Sequence, residues 1–138
     1  DSSMVAMSQI TFMGKPLAQL QQEKPQIFGK VTYDILLERT HQLGMEIVIG
    51  KGSTEFGIGA ALAMVCKAVL HDEKRILPVS ALLEGEYGQN GIMAGVPAII
   101  GKGGVEEIIE LSLNEQEQKA FAASCDVIRA YIAKANAR

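Results

Sequence analysis

Residues 51–72 read KGSTEFGIGAALAMVCKAVLHD, and the reading of this stretch decides the fold. It grows out of a glycine-punctuated turn, Gly50-Lys51-Gly52-Ser53-Thr54, and continues into an apolar run over 56–70. Ile58, Leu62, Val65 and Val69 recur at helical spacing, while Ala60, Ala61, Ala63, Met64 and Ala68 fill the other faces. A helix apolar nearly all round is expected to be a buried, central one. Thr54 is expected to cap it, with Glu55 in the first turn, where the helix dipole favours a negative charge. A small hydroxyl would then stand at the mouth of a rigid element, a suitable place for a substrate-contacting group.

Downstream, His71-Asp72-Glu73-Lys74-Arg75 is a charged break. Residues 76–83 read as a strand, and Pro78 assigns it to a sheet edge or to the strand's first residues. A polar, glycine-rich hairpin loop at 84–91 leads to a strand at 92–100, which carries Pro97. Gly101-Lys102-Gly103-Gly104 turns the chain into a last strand at 105–113. Asn114 with Glu117 forms an N-cap and capping box, and Phe121, Cys125, Ile128, Ile132 and Ala135 draw the stripe of a final helix.

Upstream, 31–49 reads as a helix with a Val31, Ile35, Leu36, Leu43, Ile47 stripe and Thr32 or Lys30 near its start. Gly44 interrupts it, at a cost of about 1 kcal/mol relative to alanine, and predicts a kink or a close helix contact. Residues 4–12 alternate as a strand, Met13-Gly14-Lys15-Pro16 reads as a turn, 17–20 as a short returning strand and 21–26 as a loop. The sum predicts an α+β fold, a mostly antiparallel sheet with long helices packed on one face.

The 138 residues suit one domain, and 48% hydrophobic content suffices for a substantial core. A net charge of −3 without a run of Lys or Arg argues against a nucleic-acid partner. Charged residues interrupt every apolar stretch, so no membrane partner is predicted, and without a basic n-region followed by an apolar h-region no signal peptide is expected. Cys66 and Cys125 each fall on an apolar helix face and are expected to be buried, reduced thiols of a cytoplasmic protein.

No complete active site emerges from the residues alone. Gly50-Lys51-Gly52 and Gly57-Ile58-Gly59 miss the dinucleotide fingerprint, because Glu55 and Leu62 stand where the third glycine belongs. Gly44 and Gly50 are six positions apart where a P-loop needs five. His41, His71 and the two cysteines lack metal-ligand spacing, so no metal is expected. The carboxylate pairs Glu84/Glu86 and Glu106/Glu107 read as solvated, and His41 and His71 as surface residues.

Several stretches resemble one family. Lys51-Gly52-Ser53-Thr54-Glu55-Phe56-Gly57-Ile58-Gly59 resembles the start of the central helix in the catalytic domain of NAD-dependent L-lactate dehydrogenases. Ile76-Leu77-Pro78-Val79-Ser80, Tyr87-Gly88, Val96-Pro97-Ala98-Ile99-Ile100-Gly101, Gly104-Val105 and Leu113-Asn114-Glu115-Gln116-Glu117 follow in the family's order. The likeness covers nearly the whole chain and points to the lactate/malate dehydrogenase superfamily, most closely to its bacterial L-lactate dehydrogenases. In that family a Gly-Glu-His-Gly stretch carrying the catalytic histidine is directly followed by Asp-Ser, and this chain opens with Asp1-Ser2-Ser3.

The resemblance implies that residues 1–138 are the C-terminal alpha/beta domain, with the N-terminal NAD-binding half, the catalytic histidine, its Asp partner and the substrate-binding arginines absent. It implies no catalytic residue in this chain, Thr54 as substrate-binding and Ile58 as the residue packing on the nicotinamide of NAD. Ser53 and Glu55 depart from the residues many relatives carry there, which bears on the choice of 2-hydroxy acid. The implied parent is a cytoplasmic, homotetrameric enzyme of glycolysis and carboxylic acid metabolism, interconverting (S)-lactate and pyruvate. The alternatives are an L-2-hydroxyisocaproate-type or malate dehydrogenase, or a non-catalytic, self-associating module.

Overall fold

At the start of the chain, turn and helix prevail over the extended segment expected there. In this computed structural model, which describes residues 3–137, Met7–Gln9 is a 3-10 turn rather than part of a strand. Of the expected strand, Thr11–Phe12 (β1) forms a ladder, pairing antiparallel with Lys15–Pro16 (β2). The expected short strand at 17–20 and loop at 21–26 are instead the helices Leu17–Glu23 (α1) and Pro25–Phe28 (α2). Leu, Ala, Gln and Glu are good helix formers, and Pro25 stands in α2's first turn, where a missing N–H has no intrahelical partner to lose. The Asp-Ser match at Asp1 and Ser2 lies outside the described residues.

Tyr33–Lys51 (α3) begins two residues later than expected, capped by Thr32, whose hydroxyl accepts the Ile35 N–H at 3.3 Å. It ends at Gly52, whose left-handed backbone (φ 84°) returns its N–H to the Val48 carbonyl at 2.7 Å. The helix is continuous through Gly44, and a methyl group there would meet nothing within 4 Å, so this chain itself supplies no close contact at that glycine.

The chain divides into two compact units, Asp1–Gly52 with Leu111–Val127, and Ser53–Glu110 with Ile128–Arg138. The second unit holds Glu55–Leu70 (α4) and an antiparallel sheet of Arg75–Glu84 (β3), Asn90–Gly101 (β4) and Gly104–Ile108 (β5), in the order β3-β4-β5. Along β4 the period of two is complete: Ile92, Ala94, Val96, Ala98 and Ile100 are buried, with less buried residues between them. Pro78 lies on an edge strand, as expected, directly opposite Pro97.

Pro97 is on the central strand, where proline is normally excluded. Its carbonyl accepts the Ile109 N–H at 2.8 Å, so its polar edge faces the β5 side. With no N–H to donate back, Pro97 ends that ladder, and β5 stops at Ile108 instead of running to 113. Gly101 sits where the chain packs closely: a Cβ there would lie 2.8 Å from the Asp72 carboxylate, which accepts the Lys102 N–H at 2.7 Å.

The expectation of a buried central helix is corrected. Only the last turns of α4 dock on the sheet, with Ala68 fully buried against Leu77, Ala98 and Ile100, and Val65 and Val69 beside it. Its first turns are bare: Phe56 is 76%, Ile58 66% and Leu62 61% exposed. Apolar composition records that a surface is to be covered, but this chain's sheet reaches only half of the helix. Cys66 is exposed for the same reason, contrary to expectation, whereas Cys125 is buried. The last element, Glu115–Asn136 (α5), follows its capping box as expected.

Candidate functional site

The start of α4 is set by local chemistry. Gly52 closes α3, Ser53 and Thr54 follow, and Glu55 opens α4 with its charge at the positive end of the helix dipole. Thr54 occupies the N-cap position, but its side chain makes no capping bond, contrary to the sequence expectation. Its backbone (φ −113°, ψ 18°) is neither helical nor extended, and the extended geometry is the one that brings an N-cap oxygen onto the helix amides. The Thr54 hydroxyl is therefore not consumed by the helix, and the residue is exposed.

Ile58 stands one helical turn further on, its N–H directed at the Thr54 carbonyl at 3.5 Å. An uncommitted hydroxyl and a bare aliphatic side chain thus stand at the exposed start of α4. The depressions at 4–7 with 114–120 and at 82–86 with 105–108 contain neither residue.

A second cluster is not legible as a cluster in the sequence. The first unit contains a cavity of about 300 Å³ bordered by Met4, Met7, Tyr33, Asn114, Glu117 and Ala120. Glu117 is only 6% exposed, and its carboxylate accepts the Ser8 N–H at 2.8 Å, the Ser8 hydroxyl at 2.5 Å and the Asn114 N–H at 3.1 Å. Asn114 accepts the Glu117 N–H in return at 3.0 Å, completing the capping box. Burial pushes the Glu117 carboxyl up, but the Ser8 hydroxyl, the Ser8 amide and the Asn114 amide outweigh it, and the group titrates below its ordinary 4.5. The capping-box spacing identifies half of this arrangement, while Ser8 lies 109 positions away.

Four further carboxyls are shifted in the same direction. Lys15 lowers Glu23, the Lys102 amide lowers Asp72, the Glu84 amide lowers Glu86, and Lys74 lowers Glu106. A general acid at neutral pH needs its carboxyl raised, so none of these is poised for that task. His41 and His71 are exposed, and among the described residues no group of three or more His, Cys, Asp or Glu could hold a metal ion.

Comparison with known proteins adds the family. A profile of the lactate/malate dehydrogenase alpha/beta C-terminal domain matches residues 1–138. The chain is 45% identical over 132 residues to L-lactate dehydrogenase 3 of Bacillus cereus, a match covering 96% of this chain and 42% of that protein. It is 42% identical to an L-lactate dehydrogenase of Fusobacterium nucleatum, with the same coverage of 96% and 42%. Among solved structures, it resembles the ligand-bound minor L-lactate dehydrogenase of Enterococcus mundtii, with a TM-score of 0.83, 37% identity, and 94% of this chain and 41% of that one covered. It resembles the malate dehydrogenase of Salinibacter ruber as closely, with a TM-score of 0.83, 34% identity, and coverage of 99% and 43%. The chain thus spans about two fifths of the length of the relatives it matches.

Proposed function

The chain belongs to the lactate/malate dehydrogenase family, as its alpha/beta C-terminal domain, and on that premise we propose that it is the substrate-side part of an NAD-dependent L-lactate dehydrogenase. The relatives' greater length supports a parent protein with an N-terminal nucleotide-binding half. That half would carry the catalytic histidine, within the family's Gly-Glu-His-Gly stretch, together with the arginines that hold the substrate carboxylate. The parent is proposed to be a cytoplasmic homotetramer acting in glycolysis.

One observation carries the assignment of roles: Thr54 and Ile58 are both exposed at the start of α4, and neither is committed to the chain's own packing. Thr54 lines the substrate pocket and offers its hydroxyl beside the 2-oxo acid. Ile58 offers an apolar surface to one face of the nicotinamide ring, whose bound cofactor supplies the hydride. Burying an aliphatic side chain such as Ile58 is worth about 1.5–3 kcal/mol, enough to bias the ring's position. The described residues fit the ring but not the phosphates, since no glycine fingerprint is present.

Joining the chain to its upstream coding sequence and following NADH absorbance tests the proposal. Turnover is expected on pyruvate, well above oxaloacetate and branched 2-oxo acids. Preference for oxaloacetate would make the parent a malate dehydrogenase. Tight NADH binding by the 138-residue chain alone would defeat the division of labour.

A further inference from the structure

Glu117 is an almost fully buried carboxylate bonded through both oxygens, and two of its three donors belong to a residue 109 positions away. Those donors are the amide and hydroxyl of Ser8. The Ser8 hydroxyl also accepts the Gln9 side-chain amide at 3.1 Å, so its own proton is directed at Glu117. Gln9 in turn donates to the Ser112 carbonyl at 2.7 Å, just ahead of the capping box. The segment bends tightly on itself, with the Met7 N–H on the Val5 carbonyl at 2.9 Å and the Gln9 N–H on the Ala6 carbonyl at 3.0 Å. Met4 and Met7 line the cavity beside Glu117. A capping box needs only Asn114 and Glu117, so the bonds to Ser8 serve something other than starting α5.

We propose that Glu117 is a positioning residue, whose carboxylate anchors the segment 4–9 on the first turn of α5 and so sets where the chain immediately ahead of that segment can reach. This rests on the functional reading above, in which the histidine that gives its proton to the substrate oxygen belongs to the Gly-Glu-His-Gly stretch ahead of Asp1, two positions before it. A donor held from one side must be held within a fraction of an ångström to act, and displacement of about 1 Å costs on the order of a hundredfold in rate. The capping pair starts α5, and the same carboxylate, turned outward to Ser8, locks the entering chain to it.

The parent enzyme, expressed with its upstream sequence, provides the test through Glu117→Gln, Ser8→Ala and, as a control, Glu115→Gln. Glutamine has one acceptor oxygen, so it cannot accept the Ser8 N–H on one side and the Ser8 hydroxyl and Asn114 N–H on the other. Glu115 lies in the same turn but is exposed and paired with Lys119. Glu117→Gln and Ser8→Ala are each expected to lower kcat about tenfold or more, with KM for pyruvate and NADH within about twofold. The primary isotope effect with 4-deuterated NADH should rise, because the chemical step becomes limiting. A variant that merely contains fewer folded molecules loses kcat with its isotope effect unchanged, and that result would overturn the positioning role. Wild-type kcat in Glu117→Gln, or an equal loss in Glu115→Gln, would overturn it too. A parent enzyme that turns over no 2-oxo acid at all would instead remove the functional reading, and the positioning role with it.

Discussion

Replacing Glu117 by glutamine should destabilise the folded chain by about 1.5–3 kcal/mol at neutral pH, the worth of a buried charge-assisted hydrogen bond. The figure follows from counting donors. One oxygen accepts the Ser8 N–H, and the other accepts both the Ser8 hydroxyl and the Asn114 N–H. Glutamine can keep one side, but its NH2 group must face a donor on the other. The hydroxyl can rotate away, whereas an amide N–H cannot. The penalty corresponds to a fall in Tm of roughly 5–12 °C for a chain of this size.

The effect has a predictable pH dependence. Glu117 titrates below its ordinary 4.5 in the folded chain, so the stability its charge contributes is fully present above pH 4.5. It is lost as pH falls through the lower, folded value, where the carboxylate is protonated. Glutamine does not titrate. Paired thermal melts by circular dichroism, stepped from neutral to acid pH, should therefore show a gap between wild type and Glu117→Gln that is widest near neutrality and narrows below pH 4.5. A gap that stays constant across that range would refute the claim that the charged form is what the Ser8 and Asn114 donors stabilise.

Three other outcomes are expected. Leu83→Ala removes a side chain with 0% exposure from the sheet's buried face and should cost about 2–5 kcal/mol, measured by urea unfolding. Gly44→Ala should stabilise the 138-residue chain by up to about 1 kcal/mol, since α3 is continuous there and nothing lies within 4 Å of the added methyl; if the substitution instead weakens assembly of the parent in sedimentation, that face meets another subunit closely. Ile58→Ser in the parent should weaken NADH binding about tenfold in a fluorescence titration, and unchanged binding would remove Ile58 from the nicotinamide face.

Contacts between near neighbours in the chain are legible in the sequence. Asn114 and Glu117 are three positions apart, so their mutual capping follows from spacing and residue type alone, and the same holds for Thr32 at the start of α3. The alternation along β3 and β4, and Pro78 on an edge, follow from a period of two and a missing N–H. Short apolar runs are not decidable in this way: residues 17–20 carry too few positions to separate a period of two from one of 3.6, and helix prevails. The Thr54 hydroxyl reads as a cap because residue type favours it, while the backbone angle that decides the matter is not written in residue type.

By itself, the sequence determined the α+β class, the strands that carry the core, the start of α5 and the family, because each rests on local spacing or on matched residues in order. Only the tertiary structure decided that α4 is half bare, that Pro97 stops β5, and that Ser8 is bound to Glu117. Burial and long-range hydrogen bonds depend on which surfaces the folded chain brings within a few ångströms. Apolar residues record a need for cover without recording what supplies it.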